Sequence, residues 1–189
     1  MSNENNCGYL ELIMGCMFSG KTSCLLTKVS KLRSIGIKPL IINSTINTRD
    51  ETGILNNHDK QKIECITLKK LSDINIDILN SHSHILIDES QFFPDLKITV
   101  KYWCDILKKK ISVFGLDGDF RREKFGEIID LIPFADDVIK NKGYCSICKN
   151  TTPSLFSARI SSENNQTLIG NNDKYIPVCR NHYLMMTDK

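Results

Sequence analysis

The segment Gly15-Cys16-Met17-Phe18-Ser19-Gly20-Lys21-Thr22 fills every fixed position of the pattern G-x-x-x-x-G-K-[ST]. Each fixed position has a chemical task. The glycines allow successive backbone N–H groups to turn inward around phosphate oxygens, and the helix opening at the lysine adds the positive end of its dipole. The lysine reaches the β- and γ-phosphates, and the hydroxyl of Thr22 is placed for Mg2+. Matches to this pattern also arise by chance, so the context decides. Here an apolar, β-prone stretch (9–13) leads in and a helical periodicity leads out, the strand–loop–helix setting that the chemistry requires. The segment reads as a site for a nucleoside triphosphate.

Such a site needs a second acidic element at a strand end. His84-Ile85-Leu86-Ile87-Asp88, followed by Glu89, supplies one. Asp88 is expected to hold the Mg2+ shell, directly or through water. Strand alternation would turn Glu89 the opposite way, where a carboxylate suits a general base that takes a proton from an attacking hydroxyl or water. Far downstream, Cys145-x-x-Cys148 and Cys179-x-x-His182 form two metal-ligand knuckles. Three thiolates and one imidazole can close a tetrahedral site with no open position, so the zinc they imply is structural. It would tie down a segment too short to build its own core.

These groups need a scaffold that holds them together. From Lys21 the apolar positions Cys24, Leu25, Val29, Leu32 and Ile35 follow helical spacing, ending at Gly36. Pro39 to Ile42 reads as a second buried strand, and the polar stretch Asn43 to Lys62 breaks the pattern. Residues 68–80 read as a weak amphipathic helix, Leu96 to Lys110 as a helix, and Ile111 to Gly115 as another strand. Strands alternating with helices over 9–140 predict an α/β fold, a parallel sheet covered on both faces. After about Asn141 the texture turns irregular and rich in Cys, Asn and Ser, so a boundary is placed there.

The bulk properties fit an ordinary folded chain of 189 residues, 41% hydrophobic and 25% charged. A net charge of +3 gives no argument for nucleic acid as a partner. The one basic run, Lys108-Lys109-Lys110, reads as a solvated helix end. No apolar run approaches the ~20 residues of a membrane span. The polar start gives no sign of a leader, so the eight cysteines are expected in a reducing, cytoplasmic compartment, the host cytoplasm if the chain is viral.

Together these motifs resemble the thymidine kinase family, whose cellular and viral members share a P-loop core and a zinc-bound lasso. The resemblance is carried by "GCMFSGKT", "NTRD", "IDESQFFPD", "GLDGDFRREKFGEI", "LIGNNDKYIPVC" and "CRNHY", which span nearly the whole chain. It implies a P-loop (RecA-like) core over 1–140 and a zinc-ribbon or lasso domain over 141–189. It implies transfer of the γ-phosphoryl of ATP to the 5′-hydroxyl of thymidine, giving dTMP for DNA synthesis by pyrimidine salvage, and leaves deoxyuridine open as a second acceptor. Glu89 is then the base. Gly15 to Thr22, Asn47, Thr48, Arg49, Asp88, Glu89, Ser90 and Gln91 would handle ATP and Mg2+. Phe120 contacts the nucleoside, while Met17, Leu116 and Ser157 enclose the thymine methyl, and Phe92 and Phe125 add apolar walls. Gln166, Thr167, Leu168, Ile169, Gly170 and Tyr175 close the lasso over the base. The family further implies a homotetramer and feedback inhibition by dTTP.

Three positions depart from the family pattern: Cys16 stands where proline is common, Ser90 where Gly or Ala is usual, and Asn47 where Asp often stands. Two rival readings remain at this point. One is a P-loop kinase of a different nucleoside. The other is an ATP-driven nucleic-acid module with a zinc ribbon, against which the low charge and the lack of interleaved basic and aromatic residues count.

Overall fold

A computed structural model of the chain describes residues 7–46, 53–56, 62–163, 165–167 and 174–187. Its centre is a six-stranded, wholly parallel sheet. In chain order the strands are β1 (Tyr9–Gly15), β2 (Leu40–Ser44), β5 (Ile66–Leu68), β6 (His84–Ile87), β7 (Lys110–Gly115) and β8 (Asp137–Asn141). A short hairpin, β3 (Ile54–Asn56) and β4 (Lys62–Glu64), stands apart from the sheet. Across the sheet the order is β5-β2-β6-β7-β1-β8. The first strand therefore sits between two strands from the second half of the chain.

Alternation along the strands sorts their side chains onto two faces. Leu10, Leu12 and Met14 of β1 join Ile111 and Val113 of β7 in one core, covered by helix α3 (Leu96–Asp105) through Leu96, Val100 and Trp103. Leu71 and Leu79 complete that side. Leu79 belongs to the one-and-a-half-turn helix α2 (Ile76–Asn80). On the other face Ile13, Ile41, Leu86 and Phe114 pack against Leu25 and Val29 of helix α1 (Lys21–Ser34) and against Leu55 and Ile63 of the hairpin. Helices on both faces of a parallel sheet are what the alternating pattern predicts.

Beyond Asn141 come the paired strands β9 (Gly143–Tyr144) with β10 (Pro153–Ser154), and β11 (Phe156–Arg159) with β12 (Tyr175–Val178). Helix α4 (Arg180–Thr187) follows. Contrary to the expectation of a segment without a core, Ala158, Val178 and Tyr183 bury together with Cys145 and Cys179 as a small third cluster.

Several local expectations are corrected. Residues 68–80 are not one helix: Leu68 ends β5, Leu71–Asp73 is a single 3-10 turn, and α2 starts only at Ile76. Asn75 caps α2, its side chain accepting the N–H groups of Asp77 and Ile78. The polar stretch 43–62 contains β3 and the start of β4. Ile35 is 70% exposed, past the end of α1. Helix α3 stops at Asp105 and Lys110 already belongs to β7. Lys109 is no solvated residue: it is buried, and its ammonium donates to the carbonyls of Leu79 (2.8 Å), Asn80 (3.3 Å) and His82 (2.8 Å). Three carbonyl acceptors make up for the water lost, and burial lowers its pKa.

Candidate active site

Parallel strands bring the loops after β1, β6 and β7 to one edge of the sheet, the edge where open α/β sheets bind ligands. One cavity runs along that edge. Its phosphate-loop wall is Met17, Phe18, Ser19, Gly20, Lys21 and Thr22. Gly20 holds a left-handed conformation (φ 80°) just before α1, which frees the loop to enter the helix with its N–H groups directed outward. The Lys21 ammonium donates to the carbonyls of Gly15 (3.0 Å) and Cys16 (2.8 Å). Burial lowers its pKa, while the charges of Glu89, Cys16, Asp88 and Asp117 push the other way. The buried hydroxyl of Ser19 has no hydrogen-bond partner, an orphan donor on a wall built for anionic oxygens.

The loop after β6 supplies Asp88, Glu89 and Gln91 to the same cavity. The strand ends at Ile87, so Glu89 does not reach its position by strand alternation. It sits in a left-handed turn (φ 48°, ψ 39°), and its N–H donates to Asp88 Oδ1 at 3.0 Å. Gln91 holds Glu89 from the side: its amide donates to Glu89 Oε2 at 2.5 Å and its carbonyl accepts the Leu116 N–H at 3.0 Å. One buried glutamine thus ties the acid after β6 to the loop after β7.

The far side of the cavity is largely apolar. Phe92 and Phe125 meet edge to face, 5.6 Å between centroids, beside Leu116 and Phe120. Ser157, Gln166, Thr167 and Tyr175 border it from the C-terminal segment. Ser157 also accepts the Met17 N–H at 2.9 Å, joining that segment to the phosphate loop.

Three expected residues stand back from the cavity. Gly15 and Cys16 meet Lys21 through their carbonyls, and the Cys16 thiol turns to Ser154 (3.5 Å to its hydroxyl). Ser90 is wholly buried beneath the floor, so close to Gly115 that a Cβ there would lie 2.3 Å from its hydroxyl. Asn47, Thr48, Arg49, Leu168, Ile169 and Gly170 lie outside the described residues. Sequence reasoning missed Asp119. Its carboxylate accepts the N–H groups of Arg121 (2.8 Å) and Glu123 (2.9 Å) and the side-chain amide of Gln166 (3.0 Å), so it folds the 119–123 turn and docks the C-terminal segment. The visible signal was an Asp capable of an Asx turn, set directly after Gly118 in the loop that follows β7.

Cys145, Cys148, Cys179 and His182 converge, with all four ligand atoms within 4.8 Å of one another. His182 Nδ1 lies 3.4 Å from each of the three sulfurs, and the Cys148 and Cys179 sulfurs are 3.9 Å apart. A tetrahedral zinc with ordinary bond lengths has edges of about 3.6 Å (S to N) and about 3.8 Å (S to S). The donor set and its spacing fit that ion. Burial alone would raise the Cys145 thiol, but N–H donors from Cys148, Cys179 and Ile147, with His182, bring it down to about 6.

A complete phosphate loop beside a strand-end acid pair, at the edge of a parallel sheet, defines a P-loop nucleotide-binding protein. Residues 8–183 match the family described as "Thymidine kinase". A rice protein named thymidine kinase is 38% identical over 94% of this chain, which spans 66% of that protein's length. The thymidine kinases of Yaba monkey tumor virus and vaccinia virus (strain Western Reserve) are each 35% identical, over 96% and 95% of this chain and 97% and 98% of their own. The chain belongs to the thymidine kinase family.

Proposed function

We propose that the chain transfers the γ-phosphoryl group of ATP to the 5′-hydroxyl of thymidine, giving ADP and thymidine 5′-phosphate in pyrimidine salvage. The observation that carries this reading is that one continuous cavity has the phosphate loop at one end and apolar, aromatic side chains at the other. A nucleoside lying along it would place a hydroxyl between the two, where Glu89 stands.

Position supports the roles below for the residues that border the cavity, and the family resemblance supports them for the rest. Lys21 and the N–H groups of the 15–22 loop hold the phosphates, with the Ser19 hydroxyl free to join them. Thr22 and Asp88, both bordering the cavity, are the residues that would hold Mg2+. That ion supplies charge neutralisation on the β- and γ-oxygens when bound. Glu89, oriented by Gln91, accepts the proton of the attacking hydroxyl. Phe120, Phe92 and Phe125 flank the nucleoside, and Met17, Leu116 and Ser157 form the thymine-methyl pocket. Gln166, Thr167 and Tyr175, continued by Leu168, Ile169 and Gly170, close over the base through main-chain groups, and Asn47, Thr48 and Arg49 attend the phosphates. Residues 1–140 act as the kinase core and 141–189 as a lasso anchored by zinc.

No helix among the described residues is long and apolar enough to cross a membrane. We place the chain in the cytoplasm, as a homotetramer inhibited by dTTP, on the family resemblance. The deciding experiment is a Mg·ATP-dependent kinase assay across the four deoxynucleosides and deoxyuridine. Thymidine phosphorylation well above the other three deoxynucleosides is expected, and a preference for any of those would overturn the assignment.

A further inference from the structure

Arg159 has no part in the roles above. It ends β11, and its guanidinium lies 3.7 Å from the centroid of the Phe120 ring and 5.0 Å from that of Tyr175. One terminal nitrogen donates to the carbonyls of Glu163 (2.8 Å) and Asn165 (2.6 Å). The other donates to the carbonyl of Gln166 (3.2 Å) and to the Tyr175 hydroxyl. A guanidinium carries five N–H bonds in a fixed fork, and here four of them are directed at one short stretch and one ring. The fifth, on Nε, is buried without a partner.

We propose that Arg159 is the positioning residue of the nucleoside half of the cavity, locking the main chain at Glu163, Asn165 and Gln166 and the Phe120 ring into one preformed wall. Three backbone carbonyls converging on one cation is not a conformation that a short segment keeps unaided. Without the cation those residues would regain backbone freedom, to be lost again on binding. The wall is joined a second time through Gln166, whose amide reaches Asp119 Oδ2 (3.0 Å) and the Lys124 carbonyl (3.2 Å) in the loop that carries Phe120. Phe120, Gln166, Thr167 and Tyr175 border the cavity, whereas Arg159 makes no hydrogen bond to Lys21, Asp88 or Glu89.

The proposal rests on the thymidine kinase reading, and it predicts a split between substrates. In Arg159→Ala the KM for thymidine is expected to rise ~10- to ~100-fold, the scale of losing a half-buried cation–π stack and several charged hydrogen bonds, with the KM for ATP within ~2-fold of normal. Millimolar guanidinium chloride should lower the raised KM of that variant and leave the unmodified enzyme unchanged. Arg159→Lys, which keeps the charge but loses the planar fork, covers the case in which the alanine variant fails to fold; its thymidine KM should still rise at least ~5-fold. A lysine variant equal to the unmodified enzyme, a parallel rise in both KM values, or no response to guanidinium overturns the assignment. If the unmodified chain does not phosphorylate thymidine, the functional reading itself falls; if it does and the variants behave normally, only the role of Arg159 falls.

Discussion

Gly126 offers a test of whether backbone placement beneath the acid pair controls catalysis. Its φ is 66°, and a Cβ built on it would lie 2.3 Å from the Gln91 carbonyl oxygen, 2.7 Å from Gln91 Cα and 2.8 Å from the Gln91 carbonyl carbon. All three are backbone atoms, so no side-chain rotation relieves the contact. Reaching an ordinary 3.4 Å separation needs a shift of about 1 Å in the main chain that carries Gln91. Gln91 passes that shift to Glu89 and to Leu116 through its two hydrogen bonds. Gly36 is the control, because its φ is 79° and a Cβ there meets nothing within 4 Å. Both alanine variants bear the left-handed cost of ~1–2 kcal/mol. Gly126→Ala adds ~1–3 kcal/mol of overpacking and, by displacing the reacting groups, about a 10²-fold loss of kcat. Denaturant midpoints and thymidine turnover measured side by side give the comparison. Equal stability and equal kcat in the two variants would refute the claim that the 126–91 contact sets the geometry of Glu89.

Further outcomes follow from single contacts. Glu89→Gln keeps the bond from Gln91 but cannot take a proton, so both substrates should bind near normally while turnover falls ~10²- to ~10⁴-fold; turnover near the unmodified rate would remove Glu89 as the base. Cys148→Ser or chelation should loosen the C-terminal segment before the sheet, read by hydrogen exchange, and metal analysis should find about one zinc per chain. A metal-free preparation with full order would contradict this. Asp95 accepts the N–H groups of Leu71 (3.0 Å) and Ser72 (2.9 Å); burial raises its pKa, but those donors outweigh it and the net shift is downward. A depressed folded pKa means that the stabilisation is present above the ordinary value of 3.8 and is lost as pH falls through the folded one. Asp95→Asn should therefore cost about 1 kcal/mol at neutral pH, with the gap closing below pH ~4, and a pH-independent gap would count against the charge as its source.

The parts of the site that were legible in the sequence are those written locally. The phosphate loop, the acid pair and the two knuckles each lie within a few consecutive residues, and their chemistry follows from type and spacing. The β-strands of the sheet interior, such as Leu40–Ser44 and Lys110–Gly115, were legible because burial on both faces demands apolar runs. What was hidden depends on distant partners. Among the described side chains of β3 and β4, Leu55 and Ile63 reach the core, too few to make a pattern. Leu68, Leu71 and Leu79 mimic one helical stripe although they belong to a strand end, a turn and a short helix that share one core. Lys109 looks solvated until the carbonyls after Leu79 fold over it, and Asp119 and Arg159 acquire their partners only when two loops meet.

The sheet order also bears on how the chain comes to fold. Strand β1 pairs with β7 and β8, and its register with the nearer of them in sequence, Leu12 against Val113, spans about a hundred residues. At a synthesis rate of ~5–20 residues per second, the nascent β1 waits on the order of 5–20 s before its first neighbour has been made. During that interval Leu10, Leu12, Ile13 and Met14, all fully or nearly fully buried in the finished molecule, have no sheet to enter. Contacts of such long sequence separation fold slowly and leave an apolar edge open to other chains. An N-terminal fragment that stops short of Lys110 carries the whole phosphate-loop motif and yet lacks the strand against which that loop is set, so it should pellet as aggregate rather than bind nucleotide.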